Sequence, residues 1–154
     1  YTTDGRVQSS PTVASDTVYI GSDDHSVYAF DAATGAVRWR SNTDHWVKSS
    51  PAVADGTVYV GSRDTRVYAL DATNGETQWS FGTDDRVQSS PAVAGDTVYI
   101  GSDDGTIYAL DALTGDVDWT YGTDGRVKSS PAVADGTVYV GSRDNTVYAL
   151  TAPE

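Results

Sequence analysis

Asp23-Asp24 and Asp103-Asp104 place carboxylates side by side, an oxygen-rich grouping that suits calcium. Neither run continues into the Asp-x-Asp-x-Asp-Gly pattern of a calcium loop, so both read as solvated hairpin turns. His25 and His45 are the only imidazoles, 20 residues apart and on different turns, which predicts two surface histidines rather than a shared metal. Cysteine is absent, and with it go disulfides, thiolate zinc sites and a cysteine nucleophile. Catalytic groups break symmetry, whereas nearly every aspartate here recurs in register, as a turn former does. We therefore assign no catalytic, cofactor-binding or metal residue, expect no cofactor, and read the chain as no enzyme.

The register itself is the dominant signal. Val7-Gln8-Ser9-Ser10-Pro11 recurs as Val47-Lys48-Ser49-Ser50-Pro51, Val87-Gln88-Ser89-Ser90-Pro91 and Val127-Lys128-Ser129-Ser130-Pro131, 40 residues apart each time. A period of that length marks a propeller or a solenoid. The units run 5–44, 45–84, 85–124 and 125–154, and a single one is too small to hold a core, so each must bury its apolar face on a neighbour. Units one and three share Gln8/Gln88, Ile20/Ile100 and Asp23/Asp103, while units two and four share Lys48/Lys128, Val60/Val140 and Arg63/Arg143. The true repeat is thus a pair of units. Residues 47–64 and 127–144 are identical, which points to a recent duplication or one made by hand. Alternation predicts that Asp23, Arg63, Asp103 and Arg143 form a chain of opposite charges along one rim.

Within the third unit, Ser89 to Ala94 reads as a short strand whose Pro91 sits where no amide is required. Gly95-Asp96 makes a two-residue turn. Thr97 to Ser102 is β-branched and aromatic, Thr106 to Asp111 is apolar on both faces, and Asp116 to Tyr121 is polar with one Trp. Four antiparallel strands with tight turns, repeated, make all-β propeller blades. No helical spacing of apolar residues occurs anywhere.

The run Tyr108-Ala-Leu-Asp-Ala-Leu-Thr-Gly-Asp-Val-Asp-Trp119 recurs from Tyr28 to Trp39, with Phe30 for Leu, and from Tyr68 to Trp79, with Asn74 for Thr. It resembles the repeat of the pyrroloquinoline-quinone-like β-propellers, the quinoprotein dehydrogenase superfamily, over essentially the whole chain. That resemblance implies blades of four strands and assigns Trp39, Trp79 and Trp119 to docking between adjacent blades. In the dehydrogenases of that superfamily a quinone and a metal are held by Glu, Asn and Asp, with adjacent cysteines stacked on the cofactor. Here Cys is missing, and Glu76 and Glu154 fall in a turn and at the terminus. A fragment of a quinone-dependent enzyme is therefore the remote alternative. Members without the cofactor site serve as scaffolds in outer-membrane assembly or as sensor domains. The leading expectation is accordingly a scaffold or protein-interaction module, an excised or designed repeat fragment included; the second is a ligand-binding or sensor domain at the channel mouth.

That mouth is where the repeat is least regular. Arg6, Trp46, Arg86 and Arg126 precede the innermost strands, and only Trp46 departs from arginine, next to His45. Exposed aromatic and Arg side chains there can contact a partner. By the repeat alignment, the chain starts just past a Trp-bearing strand, and Ala152-Pro153-Glu154 aligns with Ala112-Leu113-Thr114, so the fourth blade lacks its outer strand. The family commonly closes with seven or eight blades. Four would leave two apolar faces bare, and two copies head to tail would bury both in an eight-bladed ring. A self-closed four-bladed ring, a segment of a longer polypeptide and an open stack are the competitors.

Of 22 acidic residues 20 are Asp, of 10 basic residues 8 are Arg, and the net charge is −12. No clustered basic face for nucleic acid is expected. No apolar run approaches the roughly 20 residues that span a bilayer. The composition is that of a protein kept soluble in brine, cytoplasmic or extracellular, from a halophilic, haloarchaeal source or engineered from one. Self-repulsion at that charge is screened over roughly 3 Å at about 1 M salt. The urea midpoint should therefore rise between 0.1 M and molar salt; a midpoint indifferent to salt would remove the halophilic reading.

Overall fold

The computed structural model describes residues 1–151. Four antiparallel sheets follow one another, each a meander in sequence order. The first comprises β1 (Thr12–Ala14), β2 (Thr17–Ser22), β3 (Ser26–Asp31) and β4 (Val37–Asn42). The second comprises β5 (Ala52–Ala54), β6 (Thr57–Gly61), β7 (Arg66–Asp71) and β8 (Thr77–Gly82), and the third β9 (Ala92–Ala94), β10 (Thr97–Gly101), β11 (Thr106–Asp111) and β12 (Val117–Gly122). Among the described residues the fourth has β13 (Ala132–Ala134), β14 (Thr137–Gly141) and β15 (Val147–Thr151). The expectation about Ala152–Glu154 falls outside the described residues. These sheets are the blades of an all-β propeller, with no helix among the described residues and hence none to cross a membrane.

The innermost strand is shorter than its sequence suggests. Pro91 has no amide to give, so the ladder begins only at Ala92, which pairs with Tyr99. The two serines ahead of each proline have separate partners. Ser9 Oγ accepts the Gly21 amide at 2.8 Å within its blade, as Ser49, Ser89 and Ser129 do for Gly61, Gly101 and Gly141. The second serine joins blades: the Ser10 amide donates to Ser50 Oγ at 2.7 Å, Ser50 to Ser90 at 2.8 Å and Ser90 to Ser130 at 3.1 Å. Inner strands are thereby tied around the axis.

The blades adhere through apolar flanks. Between the first two, Tyr19, Val27, Ala29 and Trp39 meet Val47, Val58, Val60 and Leu70. Between the next two, Tyr59, Val67 and Ala69 meet Val87, Val98, Ile100 and Leu110. Each wholly buried side chain of this kind contributes about 1.5–3 kcal/mol. Val47 seats on Gly21 so closely that a Cβ there would stand 2.5 Å from Val47 Cγ1, and Val87 on Gly61 and Val127 on Gly101 repeat the fit.

A second joint lies on the outer strands. Trp39 covers Gly75 of the next blade, its Nε1 donating to the Ala72 carbonyl at 2.9 Å beside the Tyr19 hydroxyl at 3.2 Å. Trp79 does the same over Gly115, with Ala112 as acceptor at 3.0 Å. Gly75 has φ +75° and a Cβ there would fall 2.6 Å from Trp39, whereas Gly35, at φ +71°, has nothing within 4 Å. Both substitutions to alanine carry the same backbone strain, so Gly75→Ala should lower stability in urea by about 1–3 kcal/mol more than Gly35→Ala. Equal losses would show that the indole seat is loose.

Candidate functional site

Arg6, Trp46, Arg86 and Arg126 occupy one equivalent position per blade, all exposed. Their carbonyls accept the amides of Asp23, Arg63, Asp103 and Arg143 at 2.8 to 3.0 Å, which sets them on the β2–β3 end of the blades. Only Trp46, 36% exposed, gathers a cluster. His45 meets its ring edge-on at 5.3 Å, Lys48 Nζ lies 5.0 Å from its centroid, and Arg63 Cζ lies 4.7 Å away. Such cation–π contacts at an exposed ring contribute about 0.5–1 kcal/mol each.

The predicted rim of alternating ion pairs does not form. Among the described residues the ion pairs are Arg38–Asp31 at 2.7 Å, inside one blade, and Lys128–Asp103 at 3.7 Å, between two. Arg63 turns to Trp46 instead. Gln8 Nε2 donates to Asp23 at 2.6 Å and Gln88 Nε2 to Asp103 at 2.7 Å, so each acid of the alternating set is met first by a neutral amide from its own blade. Asp103 is no solvated turn residue, its side chain being 2% exposed.

The second acid of each turn is structural. Asp24, Asp64, Asp104 and Asp144 each accept a tyrosine hydroxyl at 2.6–2.7 Å, from Tyr28, Tyr68, Tyr108 and Tyr148. Each also accepts the amide of a residue 20 positions earlier, at 3.0–3.2 Å. Burial and the adjacent carboxylate push Tyr28, Tyr68 and Tyr108 well above the usual tyrosine range. At Asp24 burial works upward, but the Tyr28, Ser26 and Ser22 hydroxyls prevail and hold the carboxyl low.

His25 and His45 are not separate surface groups. Their ring centroids lie 5.6 Å apart. The cause is Thr43, whose amide donates to the His25 carbonyl at 2.7 Å and whose hydroxyl is shared between the carbonyls of His25, at 3.2 Å, and His45, at 2.7 Å. Thr83 joins Thr65 to Asp85, and Thr123 joins Gly105 to Gly125, in the same way. The recurrence of this threonine three positions before each mouth residue was the signal available in the sequence. Burial, then Arg63, His25 and Arg86, hold the His45 imidazole below its ordinary range.

Two grooves between blades are equivalents of each other. One is lined by Ala54, Tyr59, Gln78, Val93 and Ala112, the other by Ala14, Tyr19, Arg38, Val53 and Ala72. A groove that recurs with the repeat belongs to the architecture.

A family model described as outer membrane protein assembly factor BamB matches residues 2–87 and again 63–154. No curated protein matches the chain. Among solved structures, BamB from Moraxella catarrhalis is similar at 24% identity and a TM-score of 0.88, over 99% of this chain and 52% of that one. This chain thus spans about half of it. The computationally designed Ika4 protein is similar at 22% identity and a TM-score of 0.89, over 99% and 94%. Quinohemoprotein alcohol dehydrogenase from Comamonas testosteroni is similar at 24% identity and a TM-score of 0.80, over 90% and 29%.

The tyrosine–aspartate bonds need a neutral phenol and an ionised carboxylate. A raised phenol pKa gives stability that is whole below the usual tyrosine value of about 10 and is lost as pH climbs beyond it. A lowered Asp24 gives stability present above about pH 4 and lost on acidification. The lowered His45 adds stability that is lost as pH falls through about 6.5, so the urea midpoint should be level between about pH 7 and 9 and fall on both sides, and Tyr68→Phe should shallow the alkaline fall. An alkaline limb untouched by that change would assign it to other groups.

Proposed function

Because the chain belongs to the family described as outer membrane protein assembly factor BamB, a family of PQQ-like propeller repeats, we propose that it is a non-catalytic scaffold and protein-interaction module that closes as two copies, head to tail, in an eight-bladed ring. The carrying observation is a knob without a seat and a seat without a knob. Val47, Val87 and Val127 are wholly buried on the glycine of the preceding blade, yet Val7 is 47% exposed. At the other end a Cβ on Gly141 would meet nothing nearer than Ser129, at 3.6 Å.

The flanks around them agree. On the first blade Tyr1, Val7, Ile20, Phe30 and Gly35 line an open groove of about 290 Å³. On the fourth, Val147 is 79% exposed where Val27, Val67 and Ile107 are fully buried, and Tyr139 is 45% exposed where Tyr19 and Tyr59 are covered. The two faces are complementary halves of the joint already made three times within the chain. A second copy supplies each face with its match and leaves neither end free. The non-catalytic part of the reading is supported by symmetry, since the aspartates and the large grooves recur with the blades.

Light scattering in molar salt should give twice the 16.3 kDa of one chain. A monomer under those conditions would dispose of the ring. Gly141→Ala should weaken association at fixed protein concentration, whereas Gly61→Ala should lower the unfolding free energy itself, by about 1–3 kcal/mol. If Gly141→Ala leaves a dimer untouched, the copies meet through some other face.

A further inference from the structure

His25 and His45, like Trp46 beside them, are points at which this end of the blades departs from the repeat. Position 25 corresponds to Thr65, Gly105 and Asn145, and position 45 to Gly5, Asp85 and Gly125. Both imidazoles thus stand where the other blades place small or turn-forming residues, and they stand against one another. We propose that His25 and His45 form a two-imidazole site for a borderline divalent metal ion of the zinc, nickel and copper class, with water in the remaining positions.

The geometry supports it in three ways. First, ring centroids 5.6 Å apart and planes 31° from parallel set two imidazoles from adjacent blades side by side. Second, both backbones are pinned, because Thr43 holds both carbonyls, Ser62 Oγ adds a bond to the His45 carbonyl at 3.3 Å, and His25 is fixed in the left-handed region at φ +68°. Little backbone ordering is left for the metal to impose. Third, imidazole is the donor that this class of ion prefers, over the carboxylates that suit calcium or magnesium.

One rearrangement is required. The Trp46 amide donates to His45 Nδ1 at 2.7 Å, so the His45 ring must turn to release a lone pair, which frees an amide at an exposed residue that water can satisfy. Arg63, Arg86 and Lys48 oppose a cation here, while Asp23, Asp24, Asp44 and Asp64, each next in sequence or nearly so to a member of the cluster, favour it. The remainder of the charge, −12 over the chain, also favours it. Because Trp46 sits edge-on to His45, binding should alter its fluorescence.

The test is calorimetric titration of the full chain with zinc chloride in an excess of calcium, which occupies carboxylates. One saturable zinc equivalent per chain is expected. His25→Asn and His45→Gly install residues that sister blades already carry, so the fold should persist by circular dichroism, and each should abolish that phase. Thr65→His with Asp85→His, added to the wild-type chain, should create a second equivalent, because Thr83 pins those positions in the same manner. No saturable zinc phase, or one that survives in His25→Asn, overturns the proposal and assigns any binding to the acidic surface. A Trp46 emission change that tracks the phase in the wild type and is lost in both variants supports it.

Discussion

The structure depends on a valine that sits on a glycine. Three times, a valine ahead of an inner strand presses on a glycine near the end of the second strand in the preceding blade, and at each of these glycines a methyl group would collide with the valine. No blade contains enough flank to bury by itself, so the joint is what makes a core from four small sheets. Glycine sets the approach distance and valine fills it, and their spacing in the chain is the repeat itself. Everything else on the flanks, the tyrosine, the middle valines and the leucine, lies within the separation this contact imposes.

Around the joint, polar groups have divided roles. Serine pairs cap the glycine within a blade and join inner strands between blades. Threonines bind two turns together by their carbonyls. Aspartates that look like repetitive surface charge include one set that fastens tyrosines, with Asp103 nearly sealed from water. A chain carrying 20 aspartates in 154 residues thus spends a number of them on internal bonds, and the remainder on solvation.

Period, strand order, turns and the all-β propeller were legible because each rests on local chemistry repeated four times: β-branched runs, two-residue turns bearing Asp, a proline at the head of each inner strand. The proline also explains the one error in strand length, since Ser89 and Ser90 bond across and within blades instead of joining the ladder. The mouth was less legible. Alternation of Asp23, Arg63, Asp103 and Arg143 suggested pairing between like positions, but side-chain reach decided otherwise, with an indole capturing Arg63 and glutamines meeting the acids. The proximity of His25 to His45 was hidden because separation along the chain was taken for separation in space. A threonine hydroxyl common to both turns cancels those 20 residues.

The serine links around the axis all run in one sense. The amide of one blade gives to the hydroxyl of the next, from Ser10 to Ser50 to Ser90 to Ser130, and never back. A row of blades built on such links is vectorial, like a queue in which each member faces the one ahead. Two identical ends turned toward each other would offer donor to donor or acceptor to acceptor, and bump to bump or hollow to hollow. Growth of the row by mirror-fashion pairing is therefore chemically mismatched, and any partner that extends it must arrive facing the same way round.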